Sequence, residues 1–155
     1  MVKKITEYQF HKFVVGWLDV SLPDGCFFHH SPNEGRRHVN YHVKMKTMGM
    51  KSGFPDLCLF VPTRYFWNGT PCSIFLELKR PGGRATPIQK EVHKKLEDTG
   101  AAVAVIDNIS KLKTFLSNLI ELKENSHAKL IERMLKGMGA CCLLYTSDAA
   151  DDRDS

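Results

Sequence analysis

The chain contains no apolar run approaching the ~18–20 residues that a membrane-spanning helix needs, so none of its 155 residues read as part of a span. Its N-terminus, MVKKITEYQF, carries basic residues but lacks the uninterrupted apolar stretch of a secretory signal, and no signal peptide is expected. No internal repeat is visible. Cysteine is sparse and unpatterned: there are five, an odd number, with no C-x-x-C spacing. That speaks against a disulfide framework. Cys26, Cys58 and Cys72 read as small buried or half-buried thiols in a reducing cytoplasm.

What is present fits a soluble α/β domain. Hydrophobic residues make up 43% and charged residues 25%, and the length suits one domain with its own core. The net charge of +5 is unevenly spread. The last eight residues, DAADDRDS, hold four aspartates and one arginine, so the rest of the chain is at +8. A basic body suits a polyanionic partner, because each neutralised phosphate releases counterions.

Periodicity supplies the elements. TEYQFHKFVVGWLD (6–19) has apolar residues at 10, 13, 14, 17 and 18, the stripe of an amphipathic helix, with Thr6 as N-cap and Gln9 completing a capping box. GCFFHHSP (25–32) reads as a strand, and a helix is expected from Arg37 to Met48. FPDLCLFVP (54–62) and SIFLELK (73–79) read as strands joined through TRYFWNGTP, which carries the turn dipeptide Asn68-Gly69. In ATPIQKEVHKKLEDTG (85–100) Thr86 caps a helix, Pro87 is at N1, Gln89 is at N3 and Gly100 ends it. AAVAVI (101–106) is a buried strand and SKLKTFLSNLIELKE (110–124) a second amphipathic helix.

The strand SIFLELK ends in opposite charges, which its apolar start does not explain. If it pairs antiparallel with the strand before it, Asp56 and Glu77 fall at the same end of the sheet. Alternation sends Ile74, Leu76 and Leu78 to one face and Phe75, Glu77 and Lys79 to the other. Two carboxylates at the edge of a core repel and resist desolvation. A hard cation resolves this: Mg²⁺ takes one or two carboxylates, keeps several waters and accepts substrate phosphate. Lys79 would face developing negative charge or hold the nucleophilic water. Gln89, one turn into the next helix beyond a Gly-rich loop, can swing back to the strand end, and Glu7 is a further carboxylate if its helix crosses the sheet.

GFPDLCLF followed by IFLELKRPGGRATPIQKEVHKKLEDTG resembles the PD-(D/E)xK nuclease superfamily, and more narrowly the VRR-NUC domain of stand-alone phage and bacterial proteins. Pro55-Asp56 matches the acidic half of the motif and Glu77-Leu78-Lys79 the ExK half. Gln89 matches the trailing glutamine, and Glu7 the early helical glutamate. The resemblance implies a restriction-endonuclease-like core, a mixed sheet of about four strands flanked by helices. It implies a metal-dependent DNA endonuclease using Mg²⁺, with Mn²⁺ substituting, selective for branched or flapped DNA. The metal would be held by Asp56, Glu77 and the Leu78 carbonyl, with no organic cofactor. A homodimer and a cytoplasmic location in a bacterium or phage-infected host go with it. Residues 1–124 form the expected nuclease domain and 125–140 a C-terminal helical extension. Residues 141–155, resembling a translated sequencing adapter, are expected to be a non-native or disordered tail.

Each reading has a plainer rival. The charges can be a strand-end salt bridge, Gln89 a simple cap and Glu7 a first-turn glutamate on the helix dipole. Arg36, Arg37, Lys44, Lys46 and Lys51 form either a solvated face or, with Arg80 and Arg84, a surface tracking DNA phosphates. His38 and His42 are spaced i, i+4 but lack the HExxH glutamate and a third ligand, so they read as facing solvent or phosphate. Neither His29 nor His30 makes a persuasive general base. Phe66 and Trp67 serve a wedge, a subunit contact or the core. The alternatives in function are a DNA-binding module of the same fold that does not cleave, and an RNA- or single-strand-directed nuclease.

Overall fold

A computed structural model of the chain describes residues 5–31 and 39–137. Arg36, Arg37, His38, the side chain of His42 and the tail 141–155 lie outside the described residues.

The first helix, α1 (Glu7–Ser21), begins where the sequence marks it. The Gln9 N–H donates to Thr6 Oγ1 at 3.1 Å and the Thr6 N–H donates back to Gln9 Oε1 at 3.0 Å, a complete capping box. Its stripe Phe10, Val14, Trp17 and Leu18 is buried. Four strands follow in one sheet of order β1 (Phe27–His30), β2 (Leu57–Phe60), β3 (Ile74–Leu78), β4 (Ala102–Ile106). β1, β2 and β3 pair antiparallel in sequence, and β4 adds parallel to β3. Between β1 and β2 lies α2 (Val39–Thr47), within the range expected for it. A parallel neighbour requires a crossover, supplied here by α3 (Pro87–Asp98). The mixed α/β sheet flanked by helices is the architecture expected.

Alternation divides the sheet as expected. Leu57, Leu59, Ile74, Leu76, Leu78 and Ile106 face the core with α1 and with α4 (Ile109–Ser117), whose Leu112 and Leu116 are fully buried. Burying side chains of this size stabilises by roughly 1.5–3 kcal/mol each. The final helix, α5 (Ser126–Gly137), is integrated with this core. Ala128 is buried, Ile131 and Leu135 pack on the cluster, and Trp17 Nε1 donates to Glu132 Oε1 at 3.1 Å.

One element differs from its sequence reading. The helix expected over 110–124 stops at Ser117. Beyond it the backbone turns into strand-like pairing: the Trp67 N–H donates to the Leu119 carbonyl at 3.2 Å and the Glu121 N–H to the Tyr65 carbonyl at 2.9 Å. The apolar stripe continues past 117, but Ile120 is buried through a bridge to Phe66 rather than along a helix face. Long-range pairing satisfies the same side chains. Phe66 is therefore a core residue, while Trp67 keeps its ring exposed and donates from Nε1 to the Ser117 carbonyl at 2.8 Å. The connection between β2 and β3 also contains a short 3-10 turn, Thr63–Tyr65.

Candidate active site

The β2–β3 register pairs Leu57 with Leu76, so continuing it by one residue sets Asp56 opposite Glu77. Residues directly opposite in an antiparallel pair share a face. Asp56 is tied to the neighbouring strand, its Oδ2 accepting the Leu78 N–H at 2.7 Å. Glu77 is buried, with 1% of its surface exposed. Its Oε1 accepts from Lys79 Nζ at 2.8 Å and from Gln89 Nε2 at 2.5 Å. Lys79 and Gln89 are themselves buried.

Gln89 carries two jobs on one amide. Its Oε1 accepts the Thr86 N–H at 2.8 Å, completing the capping box of α3, while its Nε2 holds Glu77. One amide thus both caps α3 and contacts Glu77. Glu7 arrives from α1: the Arg80 N–H donates to its Oε2 at 3.4 Å, so the opening helix crosses the end of β3.

Electrostatics follow from this packing. Burial pulls the Lys79 ammonium down, but Glu77, Glu7 and Asp56 outweigh it, and the net effect is upward, so Lys79 stays charged. Burial pushes the Asp56 carboxyl up; the Leu78 N–H and Lys79 oppose this and Glu7 adds to it. Three carboxylates thus act on Lys79, which contacts Glu77 directly, and burial disfavours the anionic form of Asp56. Among the described residues no set of three or more His, Cys, Asp or Glu side chains is gathered to cage a metal ion. A hard cation such as Mg²⁺ would need only one or two carboxylates, with water and phosphate completing its shell.

Residues 10–109 match the VRR-NUC domain. The chain belongs to the VRR-NUC family. A solved structure described as a VRR_NUC domain protein is similar to it at a TM-score of 0.57 and 26% identity, covering 74% of this chain and 88% of that one. No curated protein matches the chain. The VRR-NUC domain is of the PD-(D/E)xK class, so the chain is a member of a nuclease family.

Other residues of this VRR-NUC protein lie against these groups. His93 is buried, with Nε2 3.6 Å from Glu77 Oε2, and burial lowers its pKa. Its signal was available, since it lies four residues after Gln89 and hence on the same helix face. His30 was set aside, yet it lines a cleft of about 190 Å³ with Glu7, Tyr8, His11 and Asp56. His30 Nδ1 donates to the Asp56 carbonyl at 3.0 Å, which fixes its ring beside the carboxylate. Gly53 is the third. At φ +80° it lies against α3, where a Cβ would come within 2.9 Å of the Ile88 side chain and 3.0 Å of its backbone. The glycine before Pro55-Asp56 thus lets the Asp56 loop touch the helix turn that carries Gln89. Gly83 does the same for the loop after the strand, its missing Cβ making room 2.9 Å from Lys79 Cβ.

The basic residues are placed more simply. Lys44 and Lys46 are exposed on α2, and Lys51, Arg80 and Arg84 are exposed on the loops before β2 and after β3. Cys26, Cys58 and Cys72 are half-buried free thiols. Among the described residues no helix is long and apolar enough to cross a membrane.

Proposed function

We propose that this VRR-NUC protein is a metal-dependent endonuclease that hydrolyses phosphodiester bonds in branched or flapped DNA. The carrying observation is the buried contact of Glu77 with Lys79 and Gln89, set across from Asp56 at one end of the sheet. A plain strand-end salt bridge would sit in water, where it contributes ~0–1 kcal/mol. This one is enclosed, and enclosing charge is costly unless the site uses it.

In this reading Asp56, Glu77 and the Leu78 carbonyl hold Mg²⁺ or Mn²⁺. The ion, when bound, supplies Lewis-acid polarisation of the phosphate and a more acidic water. Lys79, kept protonated by its carboxylate neighbours, faces the charge that develops on the phosphate. Gln89 orients Glu77 without adding charge, and Glu7 fixes the backbone at Arg80 while extending the anionic wall. Arg80, Arg84, Lys44, Lys46 and Lys51, with Arg36 and Arg37, track DNA phosphates.

The test is a cleavage panel of duplex, flap, bubble and four-way DNA with matched RNA, in Mg²⁺, Mn²⁺ or EDTA. Cutting should require the divalent ion and favour the branched DNAs. Asp56→Asn and Glu77→Gln should abolish it while binding stays salt-sensitive. Cleavage by both variants at the wild-type rate would refute the assignment. Binding without cleavage by the wild type would leave a DNA-binding module.

A further inference from the structure

Tyr8 is 74% exposed in the first turn of α1, next to Glu7. A single exposed aromatic needs no explanation; its position does. The residue lines the same cleft as Asp56 and Glu7, with His11 and His30 on the remaining wall. The two histidine rings meet edge to face at 4.7 Å and so give that wall a fixed shape. Lys12, one turn on from Tyr8, holds Nζ 5.9 Å from the tyrosine ring centroid. The helix repeat explains the arrangement, since Glu7 and His11 share one i, i+4 row and Tyr8 and Lys12 the next. A flat π surface and the site carboxylates therefore meet at one small cleft, with an ammonium beside the tyrosine ring.

A base within a continuous duplex has both faces covered by its neighbours, so an aromatic side chain can stack only on a base that has left the stack. We propose that Tyr8 is a stacking platform for one unstacked nucleobase next to the scissile phosphate, with Lys12 on the adjoining DNA backbone. The preferred substrate is then DNA with an unpaired or splayed nucleotide at the cut position, as in a gap, flap or branch. This rests on the nuclease reading and assigns its substrate class to a residue outside the PD…ExK…Q set. Stacking is tolerant of base identity because every base has a π face, so all four bases should serve.

The experiment uses the full chain in EDTA and a DNA duplex with a one-nucleotide gap opposite 2-aminopurine, compared with the same DNA without the gap. Binding is followed by anisotropy and stacking by 2-aminopurine emission. Wild type, Tyr8→Phe and Tyr8→Trp should change the emission and bind the gapped DNA alike. Tyr8→Ala should lose the emission change and bind the gapped DNA roughly ten-fold more weakly, with binding to continuous duplex unaltered. The exposure of Tyr8 makes the variant's fold easy to verify by circular dichroism. An equal loss of affinity for both DNAs, an emission change that survives in Tyr8→Ala, or no emission change in wild type would overturn the proposal. A wild-type protein that shows the stacking signal but never cuts with Mg²⁺ or Mn²⁺ still supports the stacking and refutes the nuclease reading.

Discussion

Helices α1 and α3 open with the same device. Thr6-x-x-Gln9 and Thr86-x-x-Gln89 both form complete capping boxes, with glutamine Oε1 accepting the threonine N–H at 3.0 Å in the first and 2.8 Å in the second. Gln9 is exposed and only caps, whereas Gln89 is buried and turns its Nε2 onto Glu77 at 2.5 Å. The first turn of α1 instead offers the site a neighbouring residue, Glu7. One turn delivers a neutral amide to a buried carboxylate, and the other delivers a charge to the cleft. Identical local chemistry acquires different roles according to what each helix end faces.

Exchanging the amide for an acid should separate the two ends most sharply. Gln89→Glu sets a second carboxylate against Glu77 in a buried position and removes the donor, and should destabilise the protein by about 3 kcal/mol and abolish cleavage. Gln9→Glu keeps the acceptor at N3 and suits the helix dipole, so urea unfolding should show it unchanged or slightly more stable. Equal effects would mean that the contact of Gln89 with Glu77 does not matter. Truncation should give a smaller contrast. Gln89→Ala loses the cap and a buried bond to a charged group, about 2 kcal/mol or more, against under about 1 kcal/mol for Gln9→Ala, read from the same midpoints.

The seat of α3 can be disturbed from outside the helix. Gly53→Ala places a Cβ against Ile88 on a backbone that L-residues disfavour, and should destabilise by about 1–2 kcal/mol and slow cleavage by separating Asp56 from Gln89. Slower cleavage with no loss of thermal stability would argue against a seating role. The smallest effect concerns α1 and its charge. Asp56 is pushed up by burial and further by Glu7. The folded state therefore holds its proton more tightly than the unfolded chain does, so stability declines as pH rises from the ordinary carboxylate value through the raised one. Asp56→Asn should flatten that decline and leave the protein at least as stable at neutral pH, although inactive. Glu7→Gln should narrow the same window from above. Denaturant titrations across acidic pH would show either change, and a profile identical to wild type in Asp56→Asn would remove Asp56 as its source.

Much of the fold was legible because its signals are short in range. The capping boxes, Pro87 at N1, the alternation along β3 and the Glu77-Leu78-Lys79 spacing each depend on residues a few positions apart. The pairing of Asp56 with Glu77 was legible too, since each strand must turn its apolar face to the core and a one-residue slip would reverse the faces. The end of α4 was not, because the apolar period runs on past Ser117 and only the bridge between Phe66 and Ile120 decides against helix. His30 was set aside and His93 not selected for a related reason: position along a helix or strand tells which face a histidine shares, not what lies across from it.

The sequence by itself determined where the helices begin, which strand faces turn inward and that acidic and basic groups close one end of the sheet, since torsion preference, capping and alternation act between near neighbours. Only the tertiary structure decided which of two matching glutamines is buried against Glu77, how far α4 extends and that α1 brings Glu7 and Tyr8 beside Asp56. Those outcomes depend on burial and on distances between elements far apart in the chain, which are set when the core packs.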